Sequence, residues 1–150
     1  MPTITLPDGS EKQFDAVTRG AEIASSIGKS LARDAVAVRV NGELWDLTRE
    51  IGDDATVEII TRDSDDGVEL LRHDAAHALA EAVKELWPDT QVTIGPAIEN
   101  GFYYDFSREE PVTEDDLQII EARMKEIVDR DETITREDWD RDEAVAFFHK

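Results

Sequence analysis

The chain contains no cysteine, which excludes disulfide staples, thiol nucleophiles and Cys-rich zinc sites within it. Positive charge is scarce: 16 Lys and Arg stand against 36 Asp and Glu, for a formal net charge of -20. Such a surface repels a phosphate backbone over most of its area, so any contact with nucleic acid must be local. Long apolar runs are absent too. No segment approaches the ~18 uninterrupted apolar residues that mark a membrane span. The amino terminus, MPTITLPDGS, has neither a basic region nor an apolar run. The expectation is a soluble, cytoplasmic protein with no membrane partner. The acidic excess is larger in residues 68–150 than in 1–67. A solvated surface explains it most simply, and a salt-adapted source or a basic partner is compatible with it.

What is present suits one ordinary domain or two small ones in 150 residues. TITL and KQFDAV flank PDGSE, where Asp8-Gly9 supplies hairpin turn chemistry. Thr18 is the expected N-cap of a helix RGAEIASSIGKSLARDA, with Ile23, Ile27 and Leu31 at helical spacing and Gly28 weakening it. AVAVRV and GELWDL follow as strands joined at Asn41-Gly42, then a loop TREIGDDA and a strand TVEIIT. Strand, strand, helix, strand, strand, strand suits a small mixed sheet on one helix. Residues 63–67 are expected as a linker, giving units 1–62 and 68–150, both of α+β class. In the second unit a helix runs from about Val68 to Trp87 and stops at Pro88. QVTIGPAI and GFYYDFS then form a hairpin around Glu99-Asn100-Gly101, and Thr113 with Asp116 approximates a capping box for DDLQIIEARMKEIVDRD. ETITREDW is predicted as a strand and DEAVAFFHK as the start of a helix. That helical pattern runs to the last residue without a cap, as expected of an artificial or processed end.

The stretch RHDAAHALAEAVKEL sets His73 and His77 four residues apart with Asp74 between. On a helix they project about 40° apart, while Leu71, Ala75, Ala78, Leu79, Ala82 and Leu86 cluster on roughly the opposite side. The histidines therefore face solvent, a cleft or a second packed layer. HxxxH resembles the HExxH signature of zinc proteases. Position two is Asp rather than Glu, however, and His149 is the only other histidine; without a third ligand the pattern is weak, and no metal site is expected in this chain. The His73-Asp74 pair also resembles that of metal phosphohydrolases, whose further ligands have no counterpart here. Two exposed histidines without chemistry are the plain alternative. A functional pair needs a pocket, and the hairpin offers one. Gly95-Pro96 permits close backbone approach, and alternation sends Phe102, Tyr104 and Phe106 one way and Tyr103 the other.

Taken together, RHDAAHALAEAVKELWPDTQVTIGPAIENGFYYDF resembles the opening of the editing domain of bacterial threonyl-tRNA synthetases, an HxxxH helix followed by a GP...NGFYYDF hairpin. The preceding ITLPDGSEKQF...VRVNGELWDL...VEIIT resembles the TGS domain before it, a ubiquitin-like β-grasp module. The resemblance covers essentially the whole chain. It implies that His73 and His77 belong to a site that hydrolyses serine wrongly attached to threonine tRNA, with Tyr104 and Gly95 binding substrate. It also implies the 3′ acceptor end of threonine tRNA and the rest of a synthetase chain as partners, in a family that forms homodimers. The family completes its editing site with a later Cys-and-His motif, and its aminoacylation domain, with ATP, Mg²⁺, Zn²⁺ and threonine sites, lies beyond; neither is in this sequence. No cofactor is therefore expected here, and little hydrolase activity from this stretch alone. Missing strands would leave a sheet edge or apolar surface open to self-association. The alternatives are a non-catalytic TGS-containing interaction module for RNA or protein, and a relative of the TGS-bearing guanosine tetraphosphate synthetases and hydrolases. Chain order argues against the latter, since their HD domain precedes the TGS domain.

Overall fold

The computed structural model describes residues 1–149. Strand β1 (Thr3–Thr5) pairs antiparallel with β2 (Glu11–Gln13) across a turn in which Asp8 accepts from the backbone of Ser10. After β3 (Thr18–Arg19) come helices α1 (Gly20–Ile27) and α2 (Lys29–Asp34), then β4 (Ala35–Val40) and β5 (Glu43–Trp45). The β4–β5 turn uses positive φ at Asn41 (50°) and Gly42 (90°), the geometry that Asn-Gly favours. Strands β6 (Glu50–Ile51) and β7 (Ala55–Thr61) finish the unit. The five-stranded sheet runs β2-β1-β7-β4-β5, with β1 and β7 parallel and the other pairs antiparallel. This is the mixed β-grasp sheet that the resemblance implies. Ile23 of α1 packs into its core with Ile4, Val38, Val40 and Val57.

Three local expectations are corrected. The long helix is two helices, because Gly28 adopts an extended conformation (φ 176°, ψ 150°) between them; a residue with no side chain to pack gives the helix little reason to continue. Thr18 is not the N-cap. It lies one residue earlier in β3, buried, with its hydroxyl donating to Glu22, while the Arg19 N–H donates to the same carboxylate. The loop before β7 contains β6, which pairs with β3 in register Thr18↔Ile51.

In the second unit, α3 (Asp65–Leu86) starts inside the stretch expected as a linker. The Ser64 hydroxyl accepts from the Gly67 N–H, and Asp65 and Asp66 sit in the first turn, where carboxylates complement the helix dipole. Short strands β8 (Gln91–Val92), β9 (Ala97–Ile98), β10 (Gly101–Phe102) and β11 (Phe106–Ser107) follow, then α4 (Glu114–Asp129) and α5 (Arg141–Phe148). The capping box before α4 forms as predicted: the Thr113 hydroxyl and Asp116 carboxylate bond each other's backbone N–H. The ETITREDW strand does not form. Residues 132–139 are exposed, Ile134 to 92%, and pair with no strand among the described residues. An alternating pattern needs a neighbouring edge to become a strand, and none is offered. Among the described residues no helix is long and apolar enough to cross a membrane.

Helices α3 and α4 join through Ala82, Val83 and Ile120, with Leu79, Leu86, Met124 and Ile127 around them. Beside this small core, Glu85 takes two bonds from Arg130 (2.6 and 2.8 Å) and one from Arg123 (2.9 Å). The Arg130 bonds, then that of Arg123, hold its carboxyl at about 2, below the usual 4.5. A depressed folded-state pKa stabilises fully above the unfolded value and loses that contribution as pH falls through the folded one. The α3–α4 unit should therefore weaken between pH 4.5 and about 2. Thermal melts across that range should show a steeper fall for the native chain than for Glu85→Gln; parallel curves would refute the link.

Candidate functional site

Helical spacing brings the two histidine rings into direct contact. Nε2 of His77 lies 3.0 Å from Nε2 of His73, the centroids are 4.6 Å apart, and the planes cross at 81°. One nitrogen must donate and the other accept, so the pair shares a single proton on its facing atoms and leaves one lone pair engaged there. Both residues are exposed. The buried arc of α3 differs from the sequence expectation. It is formed by Ala76, Ala80, Ala82 and Val83, while Leu71 is 44% exposed. Ala80, which helical spacing places on the same side as the histidines, is buried. The packed arc is turned toward the histidines because the hairpin covers that flank, and His73 and His77 stand at its rim.

The hairpin is irregular. Ile98↔Gly101 and Ala97↔Phe102 pair at its tip, and Val92↔Phe106 and Gln91↔Ser107 at its base. Between the two ladders residues 93–96 face only 103–105, so the Gly95-Pro96 side carries one extra residue. Such a bulge bends a strand and re-aims its side chains, and Pro96 has no N–H to continue a ladder. The single strand expected over GFYYDFS is thereby broken in two. Tyr104 lies directly on Gly95, where any Cβ would overlap its ring. The ring also stacks on Phe106 (4.8 Å between centroids, 11° between planes), which packs against the α3–α4 core. Tyr103 points away and is exposed, as alternation predicts. The Arg72 guanidinium, one residue before His73, donates to the carbonyls of Ile98 (3.3 Å) and Glu99 (2.7 Å), tying the hairpin tip to the helix.

These elements enclose a cleft of about 650 Å³, and all four residues singled out from sequence, His73, His77, Gly95 and Tyr104, line it. Glu69 and Leu44, which the motifs do not mark, line it as well. Glu69 lies one helical turn before His73, so helix spacing alone could have found it. Leu44 comes from β5 of the other unit, and no local pattern marks it. Asp74 is exposed, and His149 follows the last turn of α5. Among the described residues no three His, Cys, Asp or Glu side chains converge as a metal-binding group.

Comparison with known proteins adds the family. A model of the TGS domain matches residues 2–61, the span of the β-grasp sheet. Threonine–tRNA ligase of Parvibaculum lavamentivorans is 60% identical over 150 residues, covering 100% of this chain and 23% of that protein. The ligases of Paramagnetospirillum magneticum (62% over 149 residues) and Gluconobacter oxydans (56% over 150 residues) match 99% and 100% of the chain and again 23% of their own length. The chain is related along its whole length to the amino-terminal region of threonine–tRNA ligase. It spans under a quarter of these relatives. Their match spans both units of the chain. It favours neither the interaction module nor the guanosine tetraphosphate enzymes.

Proposed function

We propose that this chain is the amino-terminal region of an enzyme that charges threonine tRNA, and that the cleft is part of a hydrolytic site removing serine from that tRNA. The observation that carries the reading is the convergence of a proton-sharing histidine pair, a bulged glycine-proline strand and a seated tyrosine on one cleft, in a chain related throughout to threonine–tRNA ligases.

Serine lacks only the methyl group of threonine, and one methyl supplies about 1 to 3 kcal/mol of discrimination, which leaves an error for a second site to correct. The reaction is attack of water on the ester carbonyl carbon. The bond from that carbon to the ribose oxygen breaks, and the proton lost by water ends on the ribose hydroxyl. The histidine pair suits this exchange, because with the two Nε2 atoms bonded to each other the donor ring keeps a free lone pair on Nδ1 and the acceptor ring keeps an N–H on Nδ1. Tyr104 and the Gly95 backbone wall the space beside them. On this reading the rest of the ligase chain supplies the remaining editing residues and the ATP, Mg²⁺ and Zn²⁺ sites of aminoacylation, and the dimer interface belongs there too. The partner in this cleft is the 3′ end of threonine tRNA, delivered as an ester to one site on an otherwise acidic surface.

The test is deacylation of threonine tRNA carrying serine or threonine by a full-length ligase bearing this chain, with and without His73→Ala/His77→Ala. Selective loss of Ser-tRNA hydrolysis, with aminoacylation intact, supports the assignment. Equal hydrolysis by both proteins would sink it.

A further inference from the structure

The far wall of the histidine cleft belongs to the other unit. Leu44 of β5 lines it beside Asp66, Glu69 and Leu70 of α3. Leu44 is the cross-strand partner of Arg39 on β4, and Arg39 is in turn opposite Glu58 on β7. The three residues form a row across the sheet. Val38 and Val40, the neighbours of Arg39 on β4, point the other way into the core beneath α1, so the row lies on the face turned from α1. From that row Arg39 bridges Glu58 (3.4 Å) and Asp66 in the first turn of α3. One guanidinium thus ties the sheet to the helix at the place where Leu44 reaches the cleft.

We propose that the β-grasp unit is a working wall of the substrate site: Leu44 packs against the 3′-terminal nucleoside of the acylated tRNA, and Arg39 is the positioning residue that holds β5 against α3. This rests on the hydrolytic reading above. If the histidines take the ester, a seryl group on one side of it fills little of a 650 Å³ cleft, and the nucleoside on the other side is the larger group to place. Leu44 has no polar atom for the serine hydroxyl, whose recognition needs a hydrogen-bonding group. Its half-exposed apolar side chain suits the face of a base or ribose. A phosphate is disfavoured at this wall because the Glu69 carboxylate flanks it, while the Arg39 guanidinium is already paired with Asp66 and Glu58. The contact therefore falls on the nucleoside itself.

The experiment uses a full-length threonine–tRNA ligase carrying this chain, with Ser-tRNA and 3′-seryl-adenosine as substrates. Leu44→Ala should raise KM on the order of tenfold for both, the loss of one buried apolar contact, with a much smaller change in kcat. Leu44→Met, which keeps an apolar wall, should restore KM. Arg39→Ala should act in the same direction, Arg39→Lys should recover part of the loss, and the Arg39→Ala/Leu44→Ala pair should be less than additive because both act through β5. An unchanged KM, a KM change for Ser-tRNA alone, or a loss confined to kcat would overturn the proposal. Native ligase that fails to hydrolyse Ser-tRNA defeats the hydrolytic reading; native ligase that hydrolyses it while Leu44→Ala behaves like native defeats only this inference.

Discussion

Replacing His73 and His77 together with alanine is expected to lower Ser-tRNA hydrolysis by about 100- to 10,000-fold, the range that positioned proton transfer contributes. Either single substitution should cost nearly as much as the pair. The rings meet at 3.0 Å and divide one proton between donor and acceptor, so removing one leaves the other without its partner, and residues acting as a unit are strongly non-additive. Folding should be almost untouched. Both side chains are exposed and neither belongs to the buried arc of α3, and surface changes of this kind stay within about 0.5 kcal/mol. Single-turnover deacylation of the two single variants and the double, beside their melting curves, checks this. Additive losses would show that each histidine acts alone.

The second large effect is expected at Gly95. An alanine Cβ there would occupy the space of the Tyr104 ring. The ring cannot retreat freely, because it is stacked on Phe106, which is packed against Ala82, Val83 and Ile120. Gly95→Ala should therefore either push Tyr104 into the cleft or lever Phe106 from its core. Overpacking of this kind costs about 1 to 3 kcal/mol, and displacement of a cleft wall by about 1 Å can cost on the order of 100-fold in rate. Gly95→Ala/Tyr104→Leu should regain stability, since the smaller side chain relieves the overlap, without regaining hydrolysis. A Gly95→Ala protein with native melting temperature and native deacylation would show that the tyrosine is not seated as described.

Expectation and structure part at identifiable residues. Hairpin turns carry their own instructions: Asn41-Gly42 forms its positive-φ turn wherever two strands flank it. Caps are equally local, as Thr113 with Asp116 shows. Gly28 was visible as a weak point, yet whether a helix bends or breaks there depends on what packs beside it. ETITREDW has the alternation of a strand and is none, because strand formation requires a partner edge that a local pattern does not supply. The burial of α3 departs from its apolar pattern for the same reason. Counting large apolar residues put the packed arc near Leu71, whereas alanines at 76 and 80 are buried because small side chains admit a close hairpin.

The sequence by itself determined the hairpin turns, the capping box before α4 and the pairing of His73 with His77, all consequences of residues within a few positions of one another. Only the tertiary structure decided that the hairpin bulge seats Tyr104 on Gly95, that Arg72 ties the hairpin tip beside the histidines, and that Leu44 and Arg39 of the first unit meet the cleft of the second. Those contacts join residues far apart in the chain. They arise from packing and ion pairing between finished elements, which leave no periodic signature in the segments that make them.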